Sequence, residues 1–200
     1  DGLEGRIVFE PKFRHPDAVR GLEQFSHIWI LWQFSENEKA GWSFTVRPPR
    51  LGGNTRMGGF ATRSPFRPNG IGLSCVRLKS VELTEREGPV LTVLGADMMD
   101  NTPILDIKPY IPFADCHPDA TGGFIDETPW HELDVDFPET LQAHIEGDKL
   151  EGLVEVLRQD PRRAGSKHDP SRVYHLAFAA YDVAFTVDGD TLHVVGVASA

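Results

Sequence analysis

Apolar stretches in the first half of the chain are short, and glycine, proline and asparagine interrupt them where a helix would need continuous spacing. Residues 58–62, 72–81 and 90–96 each have the length and composition of a β-strand. Residues 27–34 form a further apolar stretch that predicts a buried strand, with Trp29 and Trp32 on opposite faces. The sequence therefore predicts a mainly β fold, built as an antiparallel barrel or sandwich.

The composition changes after residue 115. Residues 115–136 are rich in Asp, Pro, Gly and Thr and show little periodicity, which is typical of a linker. The segments beyond it have helical spacing at residues 138–145 and 149–158, and strand patterns at 173–187 and 191–197 on either side of Asp188-Gly189, a pair that favours a tight turn. We therefore predict two domains, residues 1–135 and 136–200, of which the second is a small α+β domain.

Charge is distributed unevenly along the chain. The formal net charge is -10 at pH 7, yet no Asp or Glu lies between Glu38 and Glu82. The basic residues of that stretch are Lys39, Arg47, Arg50, Arg56, Arg63, Arg67, Arg77 and Lys79. A cationic segment in an acidic protein predicts a surface for an anionic ligand, with phosphate as the first candidate.

Several common classes of site have no signature in the sequence. Cys75 and Cys116 are far apart and the histidines are scattered, so we expect neither a disulfide framework nor a metal site. The phosphate-loop, dinucleotide-binding, zinc-protease and α/β-hydrolase motifs are missing as well. The longest apolar run covers only residues 28–32, so we expect no membrane partner. Since the two cysteines indicate no disulfide framework, we expect a cytoplasmic protein.

Two segments are dense in residues that bind or react. The first runs from Arg47 to Gly72, where prolines fix φ and glycines allow a ligand to approach the backbone. Arg63 and Arg67 in such a stiffened loop would present guanidinium groups to phosphate or carboxylate at little ordering cost.

The second dense segment covers residues 97–110. If residues 104–110 are extended, Asp106, Lys108 and Tyr110 share one face of the strand. A carboxylate, an amine and a phenol on one face could orient a polar substrate and move a proton. The alternative is a simple ion pair between Asp106 and Lys108 on a solvated strand face.

A set of ordered motifs resembles those of one protein family. They are Gly21-Leu-Glu-Gln-Phe-Ser-His-Ile-Trp-Ile-Leu31, Arg47-Pro-Pro-Arg-Leu51, Ala61-Thr-Arg-Ser-Pro65, Arg67-Pro-Asn69, Asp106-Ile-Lys-Pro-Tyr110 and Arg158-Gln-Asp-Pro-Arg162. The set is similar to that of the TsaA/TrmO family of tRNA methyltransferases. The resemblance implies an antiparallel β-barrel methyltransferase without a Rossmann fold. Such an enzyme uses S-adenosyl-L-methionine to methylate N6 of threonylcarbamoyladenosine at position 37 of threonine tRNA.

The resemblance also implies a homodimer with the cofactor near the subunit interface. The cofactor contacts that it carries over are Ser35, Glu36, Arg63, Leu73, Asn101, Thr102, Pro103 and Ile104. Ser35-Glu36 stands where the family often has His-Gln. The family's leading Arg-Gln-Pro segment has no match upstream of Gly2, so we expect the N-terminus to be incomplete.

The resemblance, combined with the chemistry of the residues, gives each group an expected role. Asp106 is expected to act as a base or to orient the substrate, and Lys108 and Tyr110 to hold the threonyl carboxylate or the carbamoyl oxygen. The expected tRNA-binding residues are Arg47, Arg50, Arg67, Asn69, Arg158 and Arg162, with Arg163 extending the same surface.

Two other functions stay open at this point. One is a noncatalytic RNA-binding β-barrel, which would bind RNA with a steep salt dependence and would have no affinity for S-adenosylmethionine. The other is an S-adenosylmethionine-binding protein that has a different methyl acceptor or none.

Overall fold

The computed structural model describes residues 3–128, 131–162 and 169–199, and within these ranges it leaves the side chains of residues 38–40 and 148 undescribed. The described residues are mainly β, as the sequence predicts. They form two compact units, Asp1–Val46 with Met57–Ala120, and Arg47–Arg56 with Thr121–Ala200. The boundary at residue 135 stays a prediction. In the described ranges no helix is long and apolar enough to cross a membrane.

The first unit is built around an antiparallel sheet. Its elements are β1 (Glu4–Val8), β2 (His27–Gln33), β3 (Thr45–Val46), β4 (Met57–Gly58), β5 (Ile71–Thr84), β6 (Gly88–Leu94), β7 (Ile104–Pro109) and the short helix α1 (Pro112–Asp115). Five strands form one sheet in the order β1-β6-β5-β2-β7, and β3 pairs with β4. No pairing joins the edge strands β1 and β7 within residues 3–128, so a closed barrel stays a prediction.

The core of this unit lies on one face of the sheet. Because side chains alternate along a strand, Ile28 and Ile30 point to the same face and are fully buried there. Trp32 packs against the same cluster, and its indole Nε1 donates to Ser74 Oγ at 3.0 Å. A Cβ at Gly72 would lie 2.3 Å from the Trp32 ring, so only glycine fits opposite this tryptophan.

The strand predicted at residues 58–62 is wrong in its extent. It is limited to β4, and a 3-10 turn, Gly59–Ala61, follows at once. The reason is a close backbone approach, since a Cβ at Gly59 would lie 2.9 Å from the Ser43 carbonyl oxygen. That approach depends on the pairing of two distant segments and has no local signature.

The second unit is a small α+β fold. Its elements are α2 (Phe124–Glu127), β8 (Asp134–Asp136), α3 (Glu139–Gln142), α4 (Gly147–Arg158), β9 (Tyr174–Phe178), β10 (Tyr181–Asp188) and β11 (Thr191–Ser199). The sheet has the order β8-β11-β10-β9, with β8 parallel to β11. The apolar stripe predicted on α4 is confirmed, because Leu153 and Leu157 are fully buried against the sheet residues of the same core cluster.

Two predictions for the second half need correction. Residues 115–136 are not a structureless linker, because α2 and β8 lie within them. The strand β8 is stabilised by three register pairs with the distant β11, which local composition does not reveal. Residues 173–187 are two strands rather than one, since a turn with Ala179 at φ 52 separates β9 from β10.

Candidate functional site

The face of the first sheet that points away from the core carries the chemically active side chains. In the register of β2, Trp29 lies opposite both Cys75 of β5 and Lys108 of β7, and Leu31 lies opposite both Leu73 and Asp106. Leu73 is 47% exposed. The outer face therefore combines apolar groups with the Asp106 carboxylate and the Lys108 amine, and these side chains are at least partly accessible to a ligand.

Asp106 and Lys108 form an ion pair, which was the alternative interpretation of this segment of the sequence. Lys108 Nζ lies 2.9 Å from Asp106 Oδ2, and the Ile107 amide donates to Asp106 Oδ1 at 2.9 Å. The hydrogen bond from Lys108, helped by the Ile107 amide, lowers the pKa of Asp106. A carboxylate held in its ionised form is a weak base, so this geometry suits the orienting role better than proton abstraction.

Tyr110 follows β7 on the same face. Its amide donates to the His27 carbonyl at 3.0 Å, and its ring centroid lies 5.9 Å from that of Trp29. Desolvation raises the pKa of Tyr110, and a hydrogen bond with Cys116 and the Asp115 carboxylate raise it further. The phenol is therefore protonated at neutral pH and can donate a hydrogen bond. No hydrogen bond or ion pair among the described residues joins it to the Asp106–Lys108 pair.

The end of β2 brings the predicted cofactor segments together. The Gln33 amide donates to the Pro103 carbonyl at 2.9 Å, and the next amide, Phe34, donates to the Gly70 carbonyl at 2.8 Å. Two consecutive backbone groups thus join two loops to the strand that runs into Ser35 and Glu36. One is the 101–104 loop, and the other, residues 59–70, is called the glycine-proline loop below. Segments that are far apart in sequence meet at one edge of the sheet.

The 101–104 loop is a tight turn. Asn101 has φ 60, a left-handed conformation that asparagine tolerates better than most residues. The Thr102 hydroxyl donates to the Met99 carbonyl at 2.7 Å, and the Asn101 amide donates to Asp100 Oδ1 at 3.0 Å. These bonds fix the turn, and Ile104 then begins β7.

The two arginines of the glycine-proline loop differ. Arg67 is half-buried, and its Nη1 donates to the Thr62 and Gly59 carbonyls at 2.6 and 3.1 Å. Arg63 is exposed and makes no ion pair with any residue in the described part of the chain. Arg67 therefore holds the loop together, while Arg63 is the guanidinium available to an anionic group. Asn69 is exposed in the same loop.

The remaining predicted tRNA-binding residues lie in the second unit. Arg47 and Arg50 belong to Arg47–Arg56, which groups with that unit. Arg158 pairs with Glu155 at 3.2 Å, and Arg162 forms a two-pronged contact with Asp160 at 2.7 and 2.8 Å. The hydrogen bond that Arg162 donates to Asp160 raises the pKa of Arg162. Arg163 lies outside the described residues.

The exposed aromatic residues Trp42, Phe44 and Phe60 were not among the site residues predicted from the sequence. The signal that could have identified them is their position inside the stretch that lacks carboxylates. The residues that the structure describes include no group of His, Cys, Asp or Glu arranged to hold a metal ion.

Comparison with known proteins gives two family matches that together cover most of the chain. Residues 1–116 match the family described as tRNA-methyltransferase O N-terminal domain, and residues 131–200 match the TrmO C-terminal domain.

Individual relatives agree with these matches. The tRNA (adenine(37)-N6)-methyltransferase of Escherichia coli K12 is 45% identical over 82% of this chain and 72% of its own length. The protein with the same name from Eikenella corrodens is 46% identical over 82% of this chain and 92% of its own length. A crystal structure of TrmO from Pseudomonas aeruginosa aligns with a TM-score of 0.74 at 34% identity, covering 99% of this chain and 86% of that one. The chain therefore belongs to the TrmO family.

Proposed function

We propose that this protein transfers a methyl group from S-adenosylmethionine to N6 of threonylcarbamoyladenosine at position 37 of threonine tRNA. The coarser activity follows from family membership: the chain is an S-adenosylmethionine-dependent tRNA methyltransferase. Its relatives are named for methylation of N6 of adenine 37, and a Pseudomonas aeruginosa relative carries the name of an S-adenosylmethionine-dependent methyltransferase. The threonylcarbamoyl group and the threonine isoacceptor are the finer part of the proposal, supported by the motifs of the sequence.

One observation supports the position of the cofactor site more than any other. The consecutive amides of Gln33 and Phe34 join the 101–104 loop and the loop that carries Arg63 to the end of β2. We assign the cofactor to this edge, with Ser35, Glu36, Arg63, Leu73 and residues 101–104 as its contacts. The donor set fits, because the exposed Arg63 guanidinium has no ion-pair partner among the described residues and can meet a carboxylate, and Leu73 is exposed enough to cover an apolar surface.

S-adenosylmethionine, when bound, supplies a methyl group activated by its sulfonium. The acceptor N6 carries a carbonyl substituent, so it resembles a urea nitrogen, is a weak nucleophile and must be placed in line. Asp106 is ionised and half-exposed, so it can accept a hydrogen bond from the acceptor N–H and fix its direction. The N6 proton becomes strongly acidic as the nitrogen gains the methyl group, and it leaves to the water that reaches this exposed site. Lys108 and the protonated Tyr110 can donate to the threonyl carboxylate or the carbamoyl oxygen, which holds the acceptor plane.

We also propose a cytoplasmic homodimer whose first unit completes a β-barrel. The exposed apolar side chains Ile71 on β5 and Leu105 on β7 support this assembly, because a second copy could cover them. A cofactor site at the same edge would then lie beside the subunit interface.

The test is nucleoside mass spectrometry on threonine tRNA incubated with the protein and S-adenosylmethionine. One tRNA carries threonylcarbamoyladenosine and the matched tRNA carries unmodified adenosine at position 37. We expect a methyl group only on the modified nucleoside. A gain on unmodified adenosine would contradict the proposed acceptor, and binding of S-adenosylmethionine without any gain would indicate another methyl acceptor.

A variant pair tests the role of Asp106. Asp106→Asn removes the charge that orients the acceptor, so we expect methylation to fall at least tenfold, the size of effect typical for one positioned charged group. Asp182→Asn is the matched control, since Asp182 is an exposed carboxylate that accepts a hydrogen bond from His175 in the second unit. Wild-type methylation by Asp106→Asn would remove Asp106 from the proposed site.

A further inference from the structure

The hairpin of β3 and β4 carries a row of exposed rings that the assigned site does not use. The ring centroids of Phe44 and Trp42 lie 4.3 Å apart, and those of Trp42 and Phe60 lie 6.4 Å apart. The Arg67 guanidinium carbon lies 5.7 Å from the Phe60 ring centroid and continues the row. Phe44 and Phe60 are 77% and 73% exposed, and Trp42 is 48% exposed. Large rings at this exposure are costly to leave in water, which marks a binding surface.

Backbone hydrogen bonds fix the main chain that carries the row of rings. The Gly59 amide donates to the Phe44 carbonyl at 2.9 Å, and the Ser43 amide donates to the Phe66 carbonyl at 3.3 Å. Arg67 is fixed in turn by the Thr62 and Gly59 carbonyls. Rings carried on a fixed main chain bind a flat ligand without the cost of ordering that main chain.

The charge around the row selects the kind of ligand. All four residues lie in the stretch between Glu38 and Glu82 that contains no carboxylate, and Arg63 is exposed in the same loop. The described partners of the Arg67 guanidinium are carbonyl oxygens, which carry no formal charge, so these bonds do not neutralise its positive charge. A flat ligand with a polyanionic backbone matches this combination of rings and cations.

We propose that Trp42, Phe44 and Phe60 form a stacking platform for an unpaired base of the tRNA loop that contains the target adenosine. The proposal rests on the proposed function, because it takes the tRNA substrate as given and adds how the loop is held. Unpaired loop bases are recognised by stacking on aromatic side chains and arginine planes, whereas paired bases are not accessible in this way. A second copy of the chain is the poorer occupant, because a face that packs on itself would bring the same cations together.

The test measures binding of an anticodon stem-loop RNA by fluorescence anisotropy at several salt concentrations. The double substitution Phe44→Leu with Phe60→Leu keeps apolar surface but removes the ring faces, and we expect RNA affinity to fall about tenfold or more. Phe44→Tyr with Phe60→Tyr keeps the rings and should retain wild-type affinity. Phe13→Leu is the matched control, since Phe13 is also an exposed ring beside a cation, Lys12, but lies outside the row.

The salt dependence separates stacking from phosphate contacts. Loss of stacking releases no counterions, so the slope of log affinity against log salt should be the same in the leucine variant and the wild type. Arg47→Ala provides the contrast, because Arg47 is exposed and belongs to the expected tRNA-binding residues, so its slope should fall by about one.

Three results would overturn the platform. They are wild-type RNA affinity in the leucine variant, loss of S-adenosylmethionine binding in that variant, and a change in its oligomeric mass. The second result would assign the rings to the cofactor, and the third to a protein interface. A wild-type protein that binds RNA through the platform but methylates no tRNA would instead refute the proposed function and leave the platform intact.

Discussion

The two faces of the first sheet differ in how deeply their side chains are buried and in how many partners the chain provides for them. On the core face, Ile28 and Ile30 are fully buried among other apolar residues. On the outer face of the same sheet, Leu73 is half-exposed, and the partners of Asp106 among the described residues are Lys108 and the Ile107 amide. Strand β2 therefore contributes to both faces. Its even-numbered residues pack in the core, and its odd-numbered residues line the surface that a ligand can reach.

The same difference recurs in the glycine-proline loop. Arg67 is bound to two carbonyl oxygens of its own loop, whereas Arg63 is exposed. Two arginines of one loop therefore have different roles: Arg67 stabilises the loop, and Arg63 is accessible to a ligand. The division can be tested by substitution, since the two kinds of residue should affect different measurements.

The largest effect is expected from the core face. Ile30→Ala removes a fully buried side chain and leaves a cavity, which should lower the free energy of unfolding by about 2–5 kcal/mol. Leu73→Ala on the outer face should lower it by less than about 1 kcal/mol, because much of that side chain is already in water. Urea unfolding of both variants measures the contrast. Equal losses would mean that another part of the protein covers the outer face in solution.

The loop arginines should show a smaller and more selective contrast. Arg67→Ala leaves two loop carbonyls without this donor, so we expect a loss of about 1–3 kcal/mol in the free energy of unfolding. Arg63→Ala should leave that free energy within about 0.5 kcal/mol of wild type, because its side chain is exposed.

Calorimetric titration with S-adenosylmethionine completes the comparison. Removing a charged hydrogen bond from Arg63 should weaken binding about tenfold or more. Unchanged cofactor affinity in Arg63→Ala would contradict the assignment of Arg63 to the cofactor.

The elements predicted from the sequence succeeded where the signal was local. The period of Leu153 and Leu157 identifies a helix, and the apolar run around Ile28 and Ile30 identifies a buried strand, because burial and periodicity are written in consecutive residues. The shared face of Asp106 and Lys108 follows from the alternation of a strand in the same way.

What the sequence could not provide depends on distant pairing. The turn at Gly59 exists because its backbone meets Ser43, and the row of Trp42, Phe44 and Phe60 exists because β3 pairs with β4. The sequence also does not distinguish Arg63 from Arg67. Only the folded loop shows that it is Arg67 that donates hydrogen bonds to the loop carbonyls.

The smallest effect is expected from the Asp106–Lys108 pair, and it depends on pH. Because the pKa of Asp106 in the folded protein lies below its ordinary value of 3.8, the pair stabilises the fold fully above that value. The stabilisation is lost as the pH falls through the lowered pKa. Both side chains are about half-exposed, so the contribution should stay below about 1 kcal/mol.

Urea unfolding of wild type and Asp106→Asn at a series of pH values measures this term as a difference. The difference should be constant around neutral pH and shrink only under acid conditions, whereas methylation by Asp106→Asn should be low at every pH where wild type is active. A stability difference that shrank near neutral pH would mean that Asp106 is not held ionised by Lys108. Asp106 could then serve as a base, and its assigned role would change from orienting the acceptor to accepting its proton.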